Sequence, residues 1–454
     1  MKERSPHAFA ARGFRFGVGI EDTFVVEEAA GRRRLDEYAL TQHYVHWEED
    51  LDLVKRSGAT TIRYGFPWYR LNPAPGTFEW DWADRVVEHL CELELEVIVD
   101  LVHYGTPLWL DNHFLNRGYP DAVAEYAFAL AERYGDRLEA WTPLNEPQWT
   151  ARRCGESGIW PPYFRGHDGY LQVMKAICAG IVKAQEAISD ATSGRAAFVH
   201  VEASFRYDQA DDTHSEEAAL LAERRFLSGD LLSGAVDGEH PLVTYLTSNG
   251  LTDDDLAWFH EHPALPDVVG INYYPMWSTM EYFRDGDRTE SRERDDGAAG
   301  LEELLREFSS RYGRPVMVTE TSFEGTLDEQ VAWLNDVVDL LTRLRAEIHL
   351  AGFVWWPFFD QIEWQYRETS DPLESHLHRL GLVSLRPTDV GELERRPNKV
   401  FDAFRELSSN GLAPKTGTAA AGSGAGQPER ADRLAAKTAQ TMLACARPTG
   451  GRNT

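Results

Sequence analysis

The feature that most constrains this chain is the regular alternation of short apolar runs with longer amphipathic segments. The short runs, rich in β-branched and apolar residues, predict strands at 14–20, 60–66, 96–103, 140–145, 196–202, 268–274, 315–320 and 351–356. Segments with apolar residues at i, i+3 and i+4 predict helices at 48–56, 82–93, 120–134, 169–188, 216–227, 300–312, 328–345 and 398–407. Eight strands that are each followed by a helix indicate an α/β chain folded as a (β/α)8 TIM barrel.

A doubly wound parallel sheet is the alternative arrangement of alternating strands and helices. Such a sheet binds its ligand where the strand order reverses, and no glycine-rich phosphate loop follows any predicted strand. We therefore predict one barrel domain over residues 1–407. Residues 408–454 are dominated by Ala, Gly, Ser, Thr and Pro, and no aromatic residue occurs after Phe404. This composition predicts a low-complexity, disordered tail.

The charge of the chain limits its partners. It has 74 acidic and 46 basic side chains and a net charge of −28. A field of this sign repels phosphates, so we expect neither nucleic acid nor an anionic membrane surface as a partner. No apolar run approaches the roughly 18 residues of a membrane span, and MKERSPHAFAARGFRFGVG lacks the apolar core of a signal peptide. These features lead us to expect a cytoplasmic protein. Its four cysteines lack CxxC spacing and are expected to be reduced: Cys91, Cys154, Cys178 and Cys445.

Polar or aromatic residues stand at the ends of most predicted strands, where a (β/α)8 barrel carries its catalytic groups. They are Arg63, His103, Asn145, Glu146, Glu202, Asn272, Tyr274, Glu320 and Trp356. Two of the acids lie in distinctive motifs, Glu146 in TPLNEP and Glu320 in VMVTETS. Cleavage of a glycosidic bond requires such a pair, because one acid protonates the leaving oxygen while a carboxylate attacks or activates water. In the alternative, structural interpretation, Glu146 caps the helix after Pro147 and Glu320 pairs with Arg63.

Other residues suit a sugar site. Flat apolar faces could be offered to a pyranose ring, or packed in the core, by Trp355, Trp356 and Trp364. Sugar hydroxyls could be bound by His103, Asn145, Asn272 and Glu363. Two histidine pairs, His43 with His46 and His376 with His378, have no third ligand at suitable spacing. We interpret them as surface histidines and expect neither a metal nor another cofactor.

Several motifs, in their order and spacing, resemble glycoside hydrolase family 1, the β-glucosidase family of retaining (β/α)8 barrels. They span residues from about 14 to 404 and read HYVHWEEDLDLVKRSG, IRYGFPWYRLNPAPG, VDLVHYGTP, TPLNEP, GINYYP, VMVTET, WWPFFDQIEW and HRLGLV. The resemblance implies that Glu320 is the nucleophile and Glu146 the acid/base of an O-glycosyl hydrolase. It implies sugar contacts for His103, Asn145, Trp356, Glu363 and Trp364, and places Arg63 and Tyr274 around the nucleophile.

The sequence resembles a divergent member of this family, because it departs from the family's motifs at several positions. The early glutamine of the family has no counterpart, and Glu21, Asp22 or Thr23 stands near its place. The family's HW, TENG and DNFEW read HY, TETS and DQIEW here, so the sugar contacts are altered more than the catalytic pair. The sequence therefore predicts a retaining β-glycosidase that hydrolyses neutral β-glycosides, small molecules or oligosaccharides. A transglycosidase with the same site, or a non-catalytic sugar-binding protein on this scaffold, remains an alternative.

Overall fold

A computed structural model describes residues 7–27, 31–210 and 213–412 and has a closed barrel of eight parallel strands at its centre. The strands are β1 (Arg15–Ile20), β2 (Thr61–Gly65), β3 (Glu96–Asp100), β4 (Ala140–Thr142), β5 (Ala197–Ala203), β6 (Val268–Asn272), β7 (Val316–Glu320) and β8 (Leu350–Trp355). Each strand pairs with its neighbours in chain order, and β8 closes the barrel against β1 with Phe353 opposite Phe16. The predicted (β/α)8 barrel is confirmed, and the doubly wound alternative is excluded.

Eight main helices follow the strands around the barrel. They are α1 (His43–Arg56), α2 (Asp81–Glu92), α3 (Tyr119–Tyr134), α4 (Gly166–Ala191), α5 (Glu216–Arg224), α6 (Gly297–Tyr312), α7 (Leu327–Leu344) and α8 (Lys399–Asn410). Shorter helices cover Ala8–Ala11, Glu37–Leu40, Trp68–Leu71, Pro147–Ala151, Leu227–Leu232, Val243–Ser248 and Asp253–Glu261. The helix predicted at 216–227 is therefore interrupted, since α5 ends at Arg224 and a new helix begins at Leu227.

Small antiparallel and mixed sheets decorate the loops that leave the C-terminal ends of the barrel strands. After β1, Phe24–Val25 pairs with Leu35–Asp36. A three-stranded sheet joins Arg206–Gln209, Thr279–Asp285 and Arg288–Glu293 from the loops after β5 and β6. The long segment after β8 contributes Gln361–Ile362 with Leu377–His378, and Val383–Pro387 with Leu393–Pro397. These additions build up the same end of the barrel at which the strand-end side chains lie.

The opposite, N-terminal end of the barrel is closed by a short helix. Phe9, on the helix Ala8–Ala11, has no exposed surface and packs with inward-facing residues of six strands, among them Ile98 and Met317. The guanidinium of Arg15 lies 3.8 Å from the centre of the Phe9 ring and donates a hydrogen bond of 2.7 Å to its carbonyl oxygen. The helix therefore covers the apolar interior at the N-terminal end of the barrel. The polar side chains lie at the opposite, C-terminal end.

Two of the histidines expected on the surface are buried. His43 is fully buried on α1, with Nδ1 2.7 Å from Asp50 Oδ2 and Nε2 2.8 Å from the Tyr64 hydroxyl. His376 is 6% exposed, and its Nε2 lies 3.0 Å from the Thr369 hydroxyl. The surface interpretation was wrong for both, because each ring is buried and contacts a polar side chain inside the protein. Within the described residues, no group of three or more His, Cys, Asp or Glu side chains is arranged to hold a metal ion.

The C-terminal helix α8 runs to Asn410, slightly beyond the predicted end of the last helix at 407. The predicted tail from residue 413 onward lies outside the described residues, as does Cys445, and its disorder stays a prediction. Cys91, Cys154 and Cys178 are free thiols, the last two buried. Over the ranges that the structure covers, no helix has the length and apolar character to cross a bilayer.

Candidate active site

Arg63 is the centre of the polar network at the C-terminal end of the barrel. Its guanidinium donates from Nη1 to Glu320 Oε1 at 2.5 Å, and from Nη2 to Asp100 Oδ2 at 2.6 Å and Asn145 Oδ1 at 2.7 Å. Arg63 has no exposed surface. The surrounding carboxylates raise its pKa further above its usual value, although burial alone would lower it. A permanent positive charge is thus fixed beside Glu320.

Glu320 is the last residue of β7, where the regular alternation of the strand is broken. The register between β7 and β6 shifts between Val318 and Glu320, so that consecutive side chains both reach polar partners inside the barrel. Thr319 donates to Asn272 Oδ1 at 2.7 Å, while Glu320 Oε2 accepts from the Tyr274 hydroxyl at 2.8 Å. Both oxygens of Glu320 therefore accept hydrogen bonds, one from a cation. The predicted contacts of Glu320 with Arg63 and Tyr274 are present.

Glu146 follows β4 and faces the same space. Its side chain makes no capping hydrogen bond to the helix Pro147–Ala151, so the structural interpretation as a helix cap was wrong. Instead, Oε1 accepts from Asn272 Nδ2 at 2.8 Å, and Oε2 accepts from the hydroxyl of Tyr104. Burial, and then the negative charge of Glu320, raise the pKa of Glu146 to about 8. The carboxyl group thus favours its protonated form at neutral pH.

The backbone around Glu146 is held in an unusual conformation. Its φ is +47°, in the left-handed region, and Tyr104 has a φ of +76°. Such angles are costly for residues other than glycine and persist only where neighbours fix them. Glu202, at the end of β5, fixes this segment, because its Oε1 accepts from the backbone N–H of Gln148 at 3.1 Å and of Ala203 at 3.0 Å. Glu202 therefore supports the loop that carries Glu146.

His103 and Asn145 extend the network away from Arg63. His103 Nδ1 lies 2.8 Å from Asp100 Oδ2, the same oxygen that Arg63 bonds. The Nδ2 of Asn145 lies 3.2 Å from His103 Nε2. All of these side chains are buried, and the shared carboxylate fixes the orientation of both the arginine and the imidazole.

The predicted tryptophans divide between the site and the core. Trp356 follows β8, and its ring centre lies 6.0 Å from that of Tyr274. Trp355 has no exposed surface and donates from Nε1 to the carbonyl of Leu380, so of the two roles left open for it, packing in the core holds. Side chains alternate across a strand, which sends neighbouring residues to opposite faces. Of this pair, therefore, only Trp356 faces the site.

Glu363 and Trp364 lie farther along the segment after β8. The Trp364 ring centre is 5.4 Å from that of Tyr104, which connects it to the surroundings of Glu146. The Glu363 side chain is 35% exposed, and Oε2 lies 3.7 Å from His376 Nδ1. The structure thus places Trp364 against the central network, while Glu363 stands at its solvent-exposed margin.

Two residues of this network, Tyr104 and Asp100, were not selected from the sequence. Asp100 ends β3, but the predicted strand continued to residue 103 and so concealed a polar strand end. Tyr104 follows His103 directly, and its role depends on the left-handed backbone that turns its hydroxyl towards Glu146. Asp100 could have been identified as the acid that directly follows the apolar residues VIV in the motif VIVD.

Comparisons with known proteins agree with this architecture. The family model for glycosyl hydrolase family 1 matches residues 10–410. The chain is 24% identical to β-glucosidase 1 of Oryza sativa subsp. japonica over 87% of this chain and 84% of that protein. It is 25% identical to a bifunctional β-D-glucosidase/β-D-fucosidase of Bifidobacterium breve over 80% of this chain and 86% of that protein.

A solved structure shows the same fold. The family 1 β-glucosidase from Thermotoga maritima superposes with a TM-score of 0.71 and 19% identity, covering 88% of this chain and 98% of that one. The family model spans nearly all of the described domain, including every barrel strand. The chain therefore belongs to glycosyl hydrolase family 1 and is a glycoside hydrolase.

Proposed function

We propose that this protein is a retaining β-glycosidase that hydrolyses O-glycosidic bonds through a covalent glycosyl-enzyme. The observation that carries the proposal is the contrast between its two central carboxyl groups. Glu320 accepts hydrogen bonds from the guanidinium of Arg63 and from the Tyr274 hydroxyl, which suits a charged nucleophile. Glu146, in contrast, has its pKa raised to about 8. Two acids whose environments differ in this way suit the roles of nucleophile and proton donor.

In the first step, a Glu320 oxygen forms a bond to the anomeric carbon as the bond to the aglycone oxygen breaks. Glu146 gives its proton to that oxygen, so that the aglycone leaves as a neutral alcohol. Attack consumes the negative charge of Glu320, and this charge is one cause of the raised pKa of Glu146. The pKa of Glu146 therefore falls in the glycosyl-enzyme.

In the second step, ionised Glu146 takes a proton from water, whose oxygen attacks the anomeric carbon and releases Glu320. Hydrogen bonds from Asn272 and Tyr104 favour the ionised form of Glu146 at this stage. The remaining predicted substrate contacts are Asn145 and His103 to sugar hydroxyls, Trp356 beneath the ring, and Glu363 with Trp364 at the outer edge.

The charge of the pocket restricts the sugar. Acidic side chains surround the site, and the whole chain carries a net charge of −28. A phosphate on the sugar would meet like charge at Glu363, so we propose that neutral β-glycosides are accepted and 6-phosphoglycosides are excluded. The transglycosidase alternative differs only in its acceptor.

The test of the proposal is the variant Glu320→Ala, assayed on 4-nitrophenyl β-D-glucoside. Without the nucleophile no covalent intermediate forms, and we expect turnover to fall by about a thousandfold or more. Added azide should restore part of the activity and give the α-glycosyl azide, since it attacks once from the opposite face. Glu293→Ala, which removes an acid on the strand Arg288–Glu293, is the control and should keep full activity. Unchanged turnover in Glu320→Ala would refute the assignment.

The acid/base role has a separate test in Glu146→Gln. A glutamine cannot protonate the departing oxygen, so substrates with poor leaving groups suffer most. We expect kcat/KM for an alkyl glucoside to fall at least about a hundredfold more than that for an activated 2,4-dinitrophenyl glucoside. Equal losses on both substrates would mean that Glu146 only positions the sugar.

A further inference from the structure

Two buried carboxyl groups directly after the C-terminal end of β1 have no part in the mechanism above. Glu21 and Asp22 are 2% and 1% exposed. None of their four carboxyl oxygens has a hydrogen-bond partner in the part of the chain that the structure describes. Buried polar groups are almost always satisfied, so a pair without hydrogen bonds beside an active site calls for a polar partner, such as water or a group of the substrate. These are also the residues that stand near the place of the family's early glutamine.

Two glycines leave space for both side chains inside the C-terminal end of the barrel. Gly19 pairs in register with Arg63, and Gly65 pairs with Asp100, so both glycines belong to the inward-facing rows of the site. A Cβ on Gly19 would lie 2.7 Å from the Glu21 oxygens, and a Cβ on Gly65 would lie 1.9 Å from Asp22 Oδ1. Both carboxyl groups therefore fold over glycines into the space that Arg63 and Asp100 face.

The charged groups around the pair are mostly negative. Arg63 Nη1 lies 3.2 Å from Glu21 Oε1 and also bonds Glu320. Burial raises the pKa of Glu21 well above its usual value, against the opposing charge of Arg63 and with the added repulsion of Glu320 and Asp100. Burial, then Asp100, Asp36 and Glu21, raise the pKa of Asp22 in the same way. Without a ligand, both groups are driven towards their protonated forms.

Around Glu21 and Asp22, hydrogen-bond acceptors without a partner also outnumber donors without a partner. Five carboxyl oxygens lack a partner among the described residues: both of Glu21, both of Asp22, and Asp100 Oδ1. The nearby donors without a partner are Arg63 Nε, the hydroxyl of Thr23 and Trp356 Nε1, whose indole lies close enough to Glu21 to favour its ionised form. Trp356 adjoins Glu21, since both would contact a Cβ on Gly19. A sugar hydroxyl brings one hydrogen to such a site, whereas a primary ammonium brings three and a positive charge.

We propose that Glu21 and Asp22 form a cation-binding part of the sugar pocket, and that the preferred substrate is a β-glycoside of an aminodeoxy sugar with a protonated primary amine. This inference rests on the proposed glycosidase function and names its substrate class. Neutral sugars still bind, because protonated carboxyl groups can donate to hydroxyls. The ammonium group binds more tightly, because it supplies both the missing donors and the missing charge.

Binding by isothermal titration calorimetry at pH 7 tests the proposal without requiring turnover. The ligands are phenyl 1-thio-β-D-glucoside, whose sulfur linkage resists hydrolysis, and its 2-, 3-, 4- and 6-amino-deoxy analogues. We expect at least one analogue to bind about tenfold or more tightly than the parent. Titrations in two buffers of different ionisation heat should show net proton release, because the bound cation ionises a carboxyl group. If no analogue binds more tightly than the parent, the proposal is wrong.

The double variant Glu21→Gln/Asp22→Asn assigns the preference to these residues. Amides match the neutral carboxyl groups in shape but cannot carry a negative charge, so the ratio of the affinities for the amine and for the parent thioglucoside should fall to within about twofold. Glu293→Gln should keep the full preference. A preference that survives in the double variant would also overturn the proposal.

Hydrolysis of 4-nitrophenyl β-D-glucoside by the unaltered protein separates the two ideas. Hydrolysis without any amine preference refutes the cation-binding pocket alone. An amine preference in binding without hydrolysis of any glycoside refutes the proposed glycosidase function and leaves the cation-binding pocket supported.

Discussion

At the scale of single residues, the properties of Glu146 follow from opposing influences on one carboxyl group. Burial and the charge of Glu320 favour its protonated form, while hydrogen bonds from Tyr104 and Asn272 favour the ionised form. The balance leaves the pKa at about 8. A group that must give a proton and later accept one needs such a balance, because either influence alone would block one step.

Tyr104 supplies one side of this balance, so Tyr104→Phe should move the pH profile. Since Glu146 acts first in its protonated form, kcat/KM should be high below pH 8 and fall as pH rises through about 8. Loss of the Tyr104 hydrogen bond destabilises the carboxylate, so this fall should move upward by about one pH unit. The measurement is kcat/KM between pH 5 and 10 for the two proteins.

The control for this prediction is Tyr126→Phe. The hydroxyl of Tyr126 is buried on α3 and donates to the carbonyl of Phe66 rather than to a carboxyl group of the site. Its removal should leave the pH profile in place. A downward shift in Tyr104→Phe, or an equal shift in both variants, would contradict the role given to Tyr104.

The sequence identified the residues of the site where one local rule was sufficient. Glu320 ends β7, and Asn145 and Glu146 lie in the loop that follows β4, and barrels place such residues together. Tyr104 could not be selected in this way, because its hydrogen bond depends on a left-handed backbone at its own position. The burial of His43 was missed for a related reason, since its partner Tyr64 is distant in sequence.

At the scale of elements, prediction succeeded where periodicity was long enough to recognise. Each barrel strand coincides with a predicted apolar run, and the errors lie at the ends of runs, as at 96–103, where β3 stops at Asp100. The helix Ala8–Ala11 has a single turn, too short for an amphipathic pattern. Its importance comes from the barrel interior that it covers, which only the folded chain brings together.

This short helix should contribute strongly to stability through Phe9. Truncation by Phe9→Ala would leave a cavity against six strands, and such substitutions cost about 3–5 kcal/mol. The urea midpoint of unfolding, followed by tryptophan fluorescence, should fall clearly. Because the site lies at the other end of the barrel, kcat/KM at 25 °C should stay within about twofold. Val45→Ala, at a side chain that is 78% exposed, is the control and should shift stability by no more than about 0.5 kcal/mol.

At the scale of the whole molecule, the ordered domain and the predicted tail differ in what they can bury. Helix α8 packs Val400, Phe401 and Phe404 into the main core, which ties the end of the domain to the barrel. The sequence after 412 offers few large apolar residues and no aromatic ones, so we expect that burial would not offset the conformational entropy that ordering it would cost. Stability and activity should therefore reside in the part that ends with α8.

A chain ending at Leu412 should accordingly behave like the full-length protein. Its melting temperature should stay within about 2 °C and its kcat/KM within about twofold, because it keeps every residue of the described core. A chain ending at Asn398 is the matched control, since it also loses α8 with its three buried side chains. Exposure of that much apolar surface should cost several kcal/mol, by the rough rule of 1.5–3 kcal/mol for each large buried side chain, and should lower the melting temperature by many degrees. If the chain ending at Leu412 lost its melting transition, residues 413–454 would have to contribute to the folded core, contrary to their composition.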